Sequence, residues 1–335
     1  DIDGELKLWD VDSGRLIRSW LGHERGSYGI AFTPDGKRLI TGSGDRTIKL
    51  WDLEKGECQN VLRGHDDDRV TSISVSPDWK CAVSIGDDAL RLWSLESGKC
   101  LKVLDDFRMP EMQASLAEWY SVSVSSDWKR AISVGGSGIR IWELQTGKCL
   151  RELNDYVYHS SEISVSSDFK RMVTGHSDGT LNIWELEGGD CPKVLKGHGG
   201  YVRCVSVSPD GRTAVTGSDD TTVRIWNIES GKCLRVLERH NERIDRVQVI
   251  DGGLRAISNC MDGLLCFWDL PRGECLRVMK GHQFLTTSPD GMYAVSEAYG
   301  SLCFWDIETG ECLAVYPSLS GITDVKIAGK NNRIV

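Results

Sequence analysis

Twelve cysteines are the residues of this chain with the most obvious chemical potential. Thiolates bind zinc or act as nucleophiles. Zinc binding usually needs ligands clustered at Cys-x₂₋₄-Cys or His-x₃₋₅-His spacing, and the sequence has neither. Seven cysteines instead share one offset. Cys58, Cys100, Cys149, Cys191, Cys233, Cys275 and Cys312 each follow a tryptophan by seven residues. A thiol repeated at a fixed offset reads as a structural slot, expected to be small, apolar and buried. Equivalent slots in successive repeats should lie beyond the Cα separation of about 7 Å that a disulfide tolerates. Many unpaired thiols suit a reducing, cytoplasmic setting. Acidic clusters at 1–4 ("DIDG") and Asp66-Asp67-Asp68 lack the loop and terminal Glu of a calcium site. No phosphate-binding Gly loop, His-Glu-x-x-His or nucleophile elbow occurs. The expectation is a chain without metal, cofactor or catalytic centre.

The elements that position these residues follow from tryptophan spacing. Strand-like segments end at Trp9, Trp51, Trp93, Trp142, Trp184, Trp226, Trp268 and Trp305, and the steps by subtraction are 42, 42, 49, 42, 42, 42 and 37 residues. Such a period, with four short strands per unit, predicts propeller blades. Within the unit from Gly197 to Leu237, "YVRCVSVSP" reads as strand a, with Val202, Val205 and Val207 inward. "SPDG" is a tight turn. "RTAVTGS" is strand b, "VRIW" strand c and "CLRVLE" strand d. A Gly stands five residues after every repeat Trp, which predicts a positive φ there. The predicted fold is all-β: one domain over 1–335, an eight-bladed propeller of four-stranded antiparallel blades. The tail "GITDVKIAGKNNRIV" supplies strands a and b to the blade whose strand c ends at Trp9, so both chain ends close one composite blade. That arrangement satisfies otherwise open sheet edges.

These residues resemble WD-repeat propellers. The resemblance rests on "GH" before strand a and on Trp9-Asp10, Trp51-Asp52, Trp268-Asp269 and Trp305-Asp306, with Ser94, Glu143, Glu185 and Asn227 as variants. It covers essentially the whole chain. It implies a hydrogen-bonded lock of Asp, His, Ser or Thr, and Trp in each blade. Four sets fit: Asp45–His23–Thr41–Trp51, Asp87–His65–Ser84–Trp93, Asp220–His198–Thr216–Trp226 and Asp262–His240–Ser258–Trp268. The blades of Trp9, Trp142, Trp184 and Trp305 lack one or more lock residues. A Ser–His–Asp trio also suggests nucleophilic catalysis, but a triad needs an exposed nucleophile beside an oxyanion hole. A trio repeated beside a Trp reads as buried polar satisfaction. His176 falls in the b–c region and is assigned to no lock.

Function should then lie on a surface. In propellers of this resemblance the d–a and b–c loops share the face that usually binds partners. On that face the sequence gathers Trp119 and Tyr120, then Tyr158 and His159 near Tyr156, then Tyr201 and Arg203. Tyr, Trp and Arg are hot-spot residue types, and loops departing from a rigid repeat tend to carry function. A second-face candidate is the arc of Trp79, Trp128 and Phe169, which replace the Gly of "SPDG". The net charge of −9 argues against nucleic acid. No run of 18 apolar residues or signal-peptide pattern marks a membrane or export segment. The reading is a non-catalytic scaffold or ligand-sensing module that binds a protein or peptide. The chain opens on Asp1 rather than Met, which suits a propeller fused to a signalling effector or switch domain. The alternatives are an enzyme with chemistry at the central channel and a structural spacer.

Overall fold

The computed structural model describes residues 3–10, 15–33, 35–65, 69–86, 89–106, 121–135, 138–153, 155, 163–188, 192–280, 283–288, 291–298, 300–317, 325–328 and 333–335. Among the described residues the strands form eight four-stranded antiparallel sheets, and the fold is a β-propeller. The first combines both chain ends, in the order Leu16–Leu21, Glu5–Asp10, Arg333–Ile334, Ile327–Ala328. Trp9 pairs with Ile334 and Asp10 with Arg333. The other sheets are consecutive. Their a strands are Ser27–Phe32, Val70–Val75, Ser121–Val124, Ile163–Val165, Val202–Val207, Ile244–Ile250 and Gln283–Thr287. Strands b, c and d follow each in order.

The chain divides into two compact units. One comprises Asp1–Tyr156, Leu285–Ser296 and Gly300–Val335; the other comprises Val157–Phe284 and Glu297–Tyr299. Within each unit the core lies between neighbouring sheets. In the first, Leu6, Leu8 and Val335 of the composite sheet pack with Ile30, Leu39 and Trp51 of the second sheet. On its other side Trp9, Ile327 and Ile334 pack with Phe304 and Tyr316. In the second unit, Val215 and Val223 of the sixth sheet meet Ile244, Val247 and Trp268 of the seventh. Strands a add hydrogen bonds between sheets: Val207 N–H donates to Ser164 Oγ at 3.0 Å and Val249 N–H to Ser206 Oγ at 2.9 Å.

Two bulges recur among the blades. The first sits in strand a: Val202 pairs with Ser218, but Cys204 rather than Arg203 pairs with Gly217. It explains why Val202 and Val205 are both buried although three residues apart. The second sits at the repeat Trp. Trp226 pairs with Cys233 after a register shift at Ile225, and Trp51 with Cys58 after one at Leu50. The cysteine slot therefore lies on strand d, directly across from the Trp backbone.

That placement corrects the expected burial of the slot. Cys58, Cys100, Cys233 and Cys312 are exposed, and Cys149 and Cys275 half-buried. Strand d is the outer strand, and its slot side chain packs on one side only. The Cys58 and Cys233 thiols donate to the carbonyls of Asn60 and Arg235, at 3.4 and 3.3 Å. Cys191 lies outside the described residues. Among the described cysteines all are free thiols.

The glycines five residues after Trp have positive φ wherever they are described, such as 72° at Gly56 and 71° at Gly231. Packing supplies a further reason for Gly. A Cβ on Gly231 would stand 2.5 Å from Lys193 Cε and 2.8 Å from Leu195 Cδ2, on strand d of the preceding sheet. Lys193 Nζ passes this turn to reach the Glu229 carbonyl at 2.8 Å, and Arg235 reaches Pro271 in the same way. These c–d turns are thus clamped by the sheet before them.

Candidate interaction face

The lock residues meet as donors and acceptors in sequence. In the sixth sheet Trp226 Nε1–H donates to Thr216 Oγ1 at 2.9 Å. Thr216 Oγ1 lies 2.7 Å from His198 Nε2, and His198 Nδ1 lies 2.8 Å from Asp220 Oδ2. A neutral imidazole with its proton on Nδ1 satisfies all four groups: the Thr hydroxyl donates to Nε2, and Nδ1–H donates to the carboxylate. Burial holds the His198 pKa below its ordinary value despite Asp220. Burial also pulls Asp220 upward, but hydrogen bonds from the Gly199 amide, Thr222 and His198 outweigh it and bring its pKa to about 2. The second sheet repeats the pattern. His23 Nδ1 lies 2.8 Å from Asp45 Oδ2, His23 Nε2 lies 2.7 Å from Thr41 Oγ1, and Trp51 donates to Thr41 at 2.9 Å. Thr41 and Thr216 are fully buried, so neither offers a nucleophile to a substrate.

The other locks are variants. In the third sheet His65 Nε2 bonds Ser84 at 2.7 Å, and Trp93 bonds the same hydroxyl at 2.8 Å. Arg91 Nη1 lies 3.1 Å from His65 Nδ1; Asp87 lies outside the described residues. In the seventh, His240 Nε2 bonds Ser258 and Trp268 Nε1 bonds the same hydroxyl, both at 2.7 Å. The reading of His176 needs correction. Its Nε2 lies 3.1 Å from Thr174 Oγ1, which also accepts from Trp184 Nε1 at 3.3 Å. This imidazole reaches its Thr from two residues along the chain. A sequence pattern expecting "GH" before strand a passes over it.

At the d–a end of the sixth sheet, Tyr201 and Arg203 come together. The Arg203 guanidinium carbon lies 4.9 Å from the Tyr201 ring centroid. Its Nε donates to Asp219, and its Nη2 reaches Asp219 Oδ2 at 3.2 Å. The Asp219 hydrogen bonds, working against burial, raise the Arg203 pKa. The Asp219 amide donates to the Tyr201 carbonyl at 2.9 Å, fixing the strand entry. On the adjoining sheet Arg243 pairs with Asp245 at 3.3 Å, and burial raises the Asp245 pKa against both arginines. In the first unit the equivalent end holds Tyr28, with the Arg69 guanidinium carbon 5.8 Å from its ring centroid. Sequence reading missed Asp219, Asp245 and the Tyr28–Arg69 pair. The signal available was position: Tyr28 and Asp245 stand where Arg203 does at the start of strand a, Arg69 stands where Tyr201 does, and Asp219 follows strand b. Trp119, Tyr120, Tyr158 and His159 lie outside the described residues.

The second-face arc is not an exposed patch. Phe169 is only 4% exposed. Trp79 packs on the core between the second and third sheets, and Trp128 on the core between the third and fourth. All three have φ of 57°, in the left-handed region where the other turns use Gly. That backbone turns each ring inward. Left-handed backbone costs roughly 1–2 kcal/mol, and ring burial offsets it.

Among the described residues no helix is long and apolar enough to cross a membrane. The family model described as "WD domain, G-beta repeat" matches residues 14–52, 56–94, 147–185 and 189–227. An uncharacterized WD repeat-containing protein of Schizosaccharomyces pombe is 46% identical over 43 residues, 13% of this chain and 11% of that protein. Protein ROOT INITIATION DEFECTIVE 3 of Arabidopsis thaliana is 38% identical over 47 residues, 14% of this chain and 11% of that protein. The chain thus matches about a tenth of the length of each relative. The crystal structure of the computationally designed Ika8 protein superposes with a TM-score of 0.74, covering 91% of each chain at 23% identity, a likeness of fold alone.

Proposed function

Because this chain belongs to the WD-repeat propeller family, we propose that it is a non-catalytic interaction module that binds a protein or peptide on its d–a face. The observation that carries this reading is the Tyr201–Arg203–Asp219 cluster. Its ring and guanidinium are held in place before any partner arrives, so binding orders few rotamers. The sequence reading adds Trp119, Tyr120, Tyr158 and His159, which lie outside the described residues. The net charge of −9 suits a partner with a neutral or basic surface. The buried Ser and Thr hydroxyls of the locks favour binding over catalysis. We take the 335 residues as one domain and the eight sheets as blades of one ring, placed in a cytoplasmic signalling protein.

Affinity capture on the immobilised full chain tests this reading. A protein or peptide retained by wild type and lost by a Tyr201→Ala, Arg203→Ala double variant supports it. Equal retention by both argues against it.

A further inference from the structure

The seventh sheet departs from its siblings at one atom. His240 is 5% exposed, and its Nδ1 has no hydrogen-bond partner. The same nitrogen in His23 and His198 bonds an aspartate at 2.8 Å. The cause lies two residues before that aspartate. Ser43 and Ser218 accept the amides of Asp45 and Asp220 and donate to the carbonyls of Gly26 and Gly200. The seventh sheet has Cys260 there, and its thiol turns to Asp262 Oδ1 instead. The Leu264 amide holds the same oxygen at 2.8 Å. Asp262 Oδ2 keeps only a 3.4 Å contact to the Asn241 amide, where the Gly199 amide holds Asp220 at 2.9 Å.

This rearrangement leaves an imidazole nitrogen, a thiol and a carboxylate oxygen within 4.8 Å of one another. His240 and Cys260 are buried, and Asp262 is exposed. We propose that His240, Cys260 and Asp262 form a divalent metal site, with zinc its preferred ion. A nitrogen, sulfur and carboxylate donor set is the one zinc takes. Zinc–ligand bonds of about 2.0–2.3 Å in a tetrahedron place ligand atoms roughly 3.3–3.8 Å apart. The three groups therefore need only small rotations to bind. The solvent side, beside Asp262, leaves a fourth position for water. The second ring nitrogen is already held: with the proton moved to Nε2, His240 donates to Ser258 Oγ at 2.7 Å and presents a bare Nδ1. On binding, the Cys260 S–H bond breaks, its proton leaves to solvent and an S–Zn bond forms. The ion would staple the segment entering strand a to the b–c turn of one blade, where siblings use an Asp–His hydrogen bond. Search rules for local ligand spacing overlook this set because the His precedes the Cys by 260 − 240 = 20 residues.

The test uses the full chain, stripped with chelator and titrated with zinc or cobalt(II). Cys260→Ser is the informative variant, since it restores the residue of the second and sixth sheets and should fold. The expected result is one equivalent bound by wild type, with thiolate-to-cobalt charge-transfer absorption and a raised melting temperature. Cys260→Ser should lose the band, that equivalent and the thermal shift. Asp262→Asn should bind at least about tenfold more weakly. A Cys58→Ser control should bind like wild type. No binding by wild type at micromolar zinc, or the same stoichiometry and thermal shift in wild type and Cys260→Ser, overturns the proposal.

Discussion

His198 shows how one side chain can resemble a catalyst and serve as a strut. Its two nitrogens join Thr216 to Asp220 in the interior, so truncation leaves two polar groups short of a partner. His198→Ala should cost about 1–3 kcal/mol in urea unfolding. His176→Ala should cost less, about 0.5–1.5 kcal/mol, because its bond to Thr174 is longer and the ring is half-buried. The pH dependence follows from the directions of shift. The native pKa of His198 is depressed, so its contribution is complete above the unfolded value of about 6.5 and is lost as pH falls toward the native value. Asp220 is depressed to about 2, so its contribution is present above about 4 and is lost as pH falls through about 2. Chemical unfolding from pH 7 to pH 3 should show wild type losing stability faster than a His198→Ala, Asp220→Asn double variant. Parallel curves would remove this pair from the acid response. The complete sets of the second and sixth sheets were legible in the sequence because each residue sits at a fixed offset from a Trp; in the seventh the expected Asp262–His240 bond is not made. The Arg203–Asp219 pair was not, because its partners are 219 − 203 = 16 residues apart and meet only when the hairpin register is known.

Several c–d turns depend on strand d of the sheet before them. Gly231 and Gly252 both have positive φ, 71° and 64°. A Cβ at Gly231 meets Lys193 and Leu195, whereas one at Gly252 has nothing within 4 Å. Gly252→Ala should therefore cost only the backbone term, roughly 1–2 kcal/mol. Gly231→Ala should cost more and loosen the Lys193 clamp on the Glu229 carbonyl. Thermal unfolding of the two variants separates conformational from packing cost, and equal losses would show that the clamp contributes nothing. Strands and turns were readable from period and turn residues. Two features were not. The cysteine slot looked like core, yet the strand that bears it is the outermost of its sheet. Trp79, Trp128 and Phe169 looked like surface, yet all three have left-handed backbone, Phe169 is buried, and the two Trp rings pack into the seams between sheets.

At the scale of the whole molecule, the two chain ends share one sheet. Removing residues 325–335 would expose the edge of Glu5–Asp10 and take Val325, Ile327 and Ile334 from the core around Phe304 and Tyr316. That truncation should abolish cooperative unfolding or cause aggregation, read by calorimetry and size-exclusion chromatography; a cooperative transition near the wild-type temperature would show the composite sheet to be dispensable. The complementary ends were legible because each fragment lacks the strands the other supplies. The central claim is that the d–a face binds the partner, and titration calorimetry of a captured partner against a Tyr158→Ala, Tyr201→Ala double variant tests it most directly. The account predicts a loss of more than about 2 kcal/mol in binding with an unchanged melting temperature, since neither residue belongs to a lock. Unchanged affinity in that variant would contradict it.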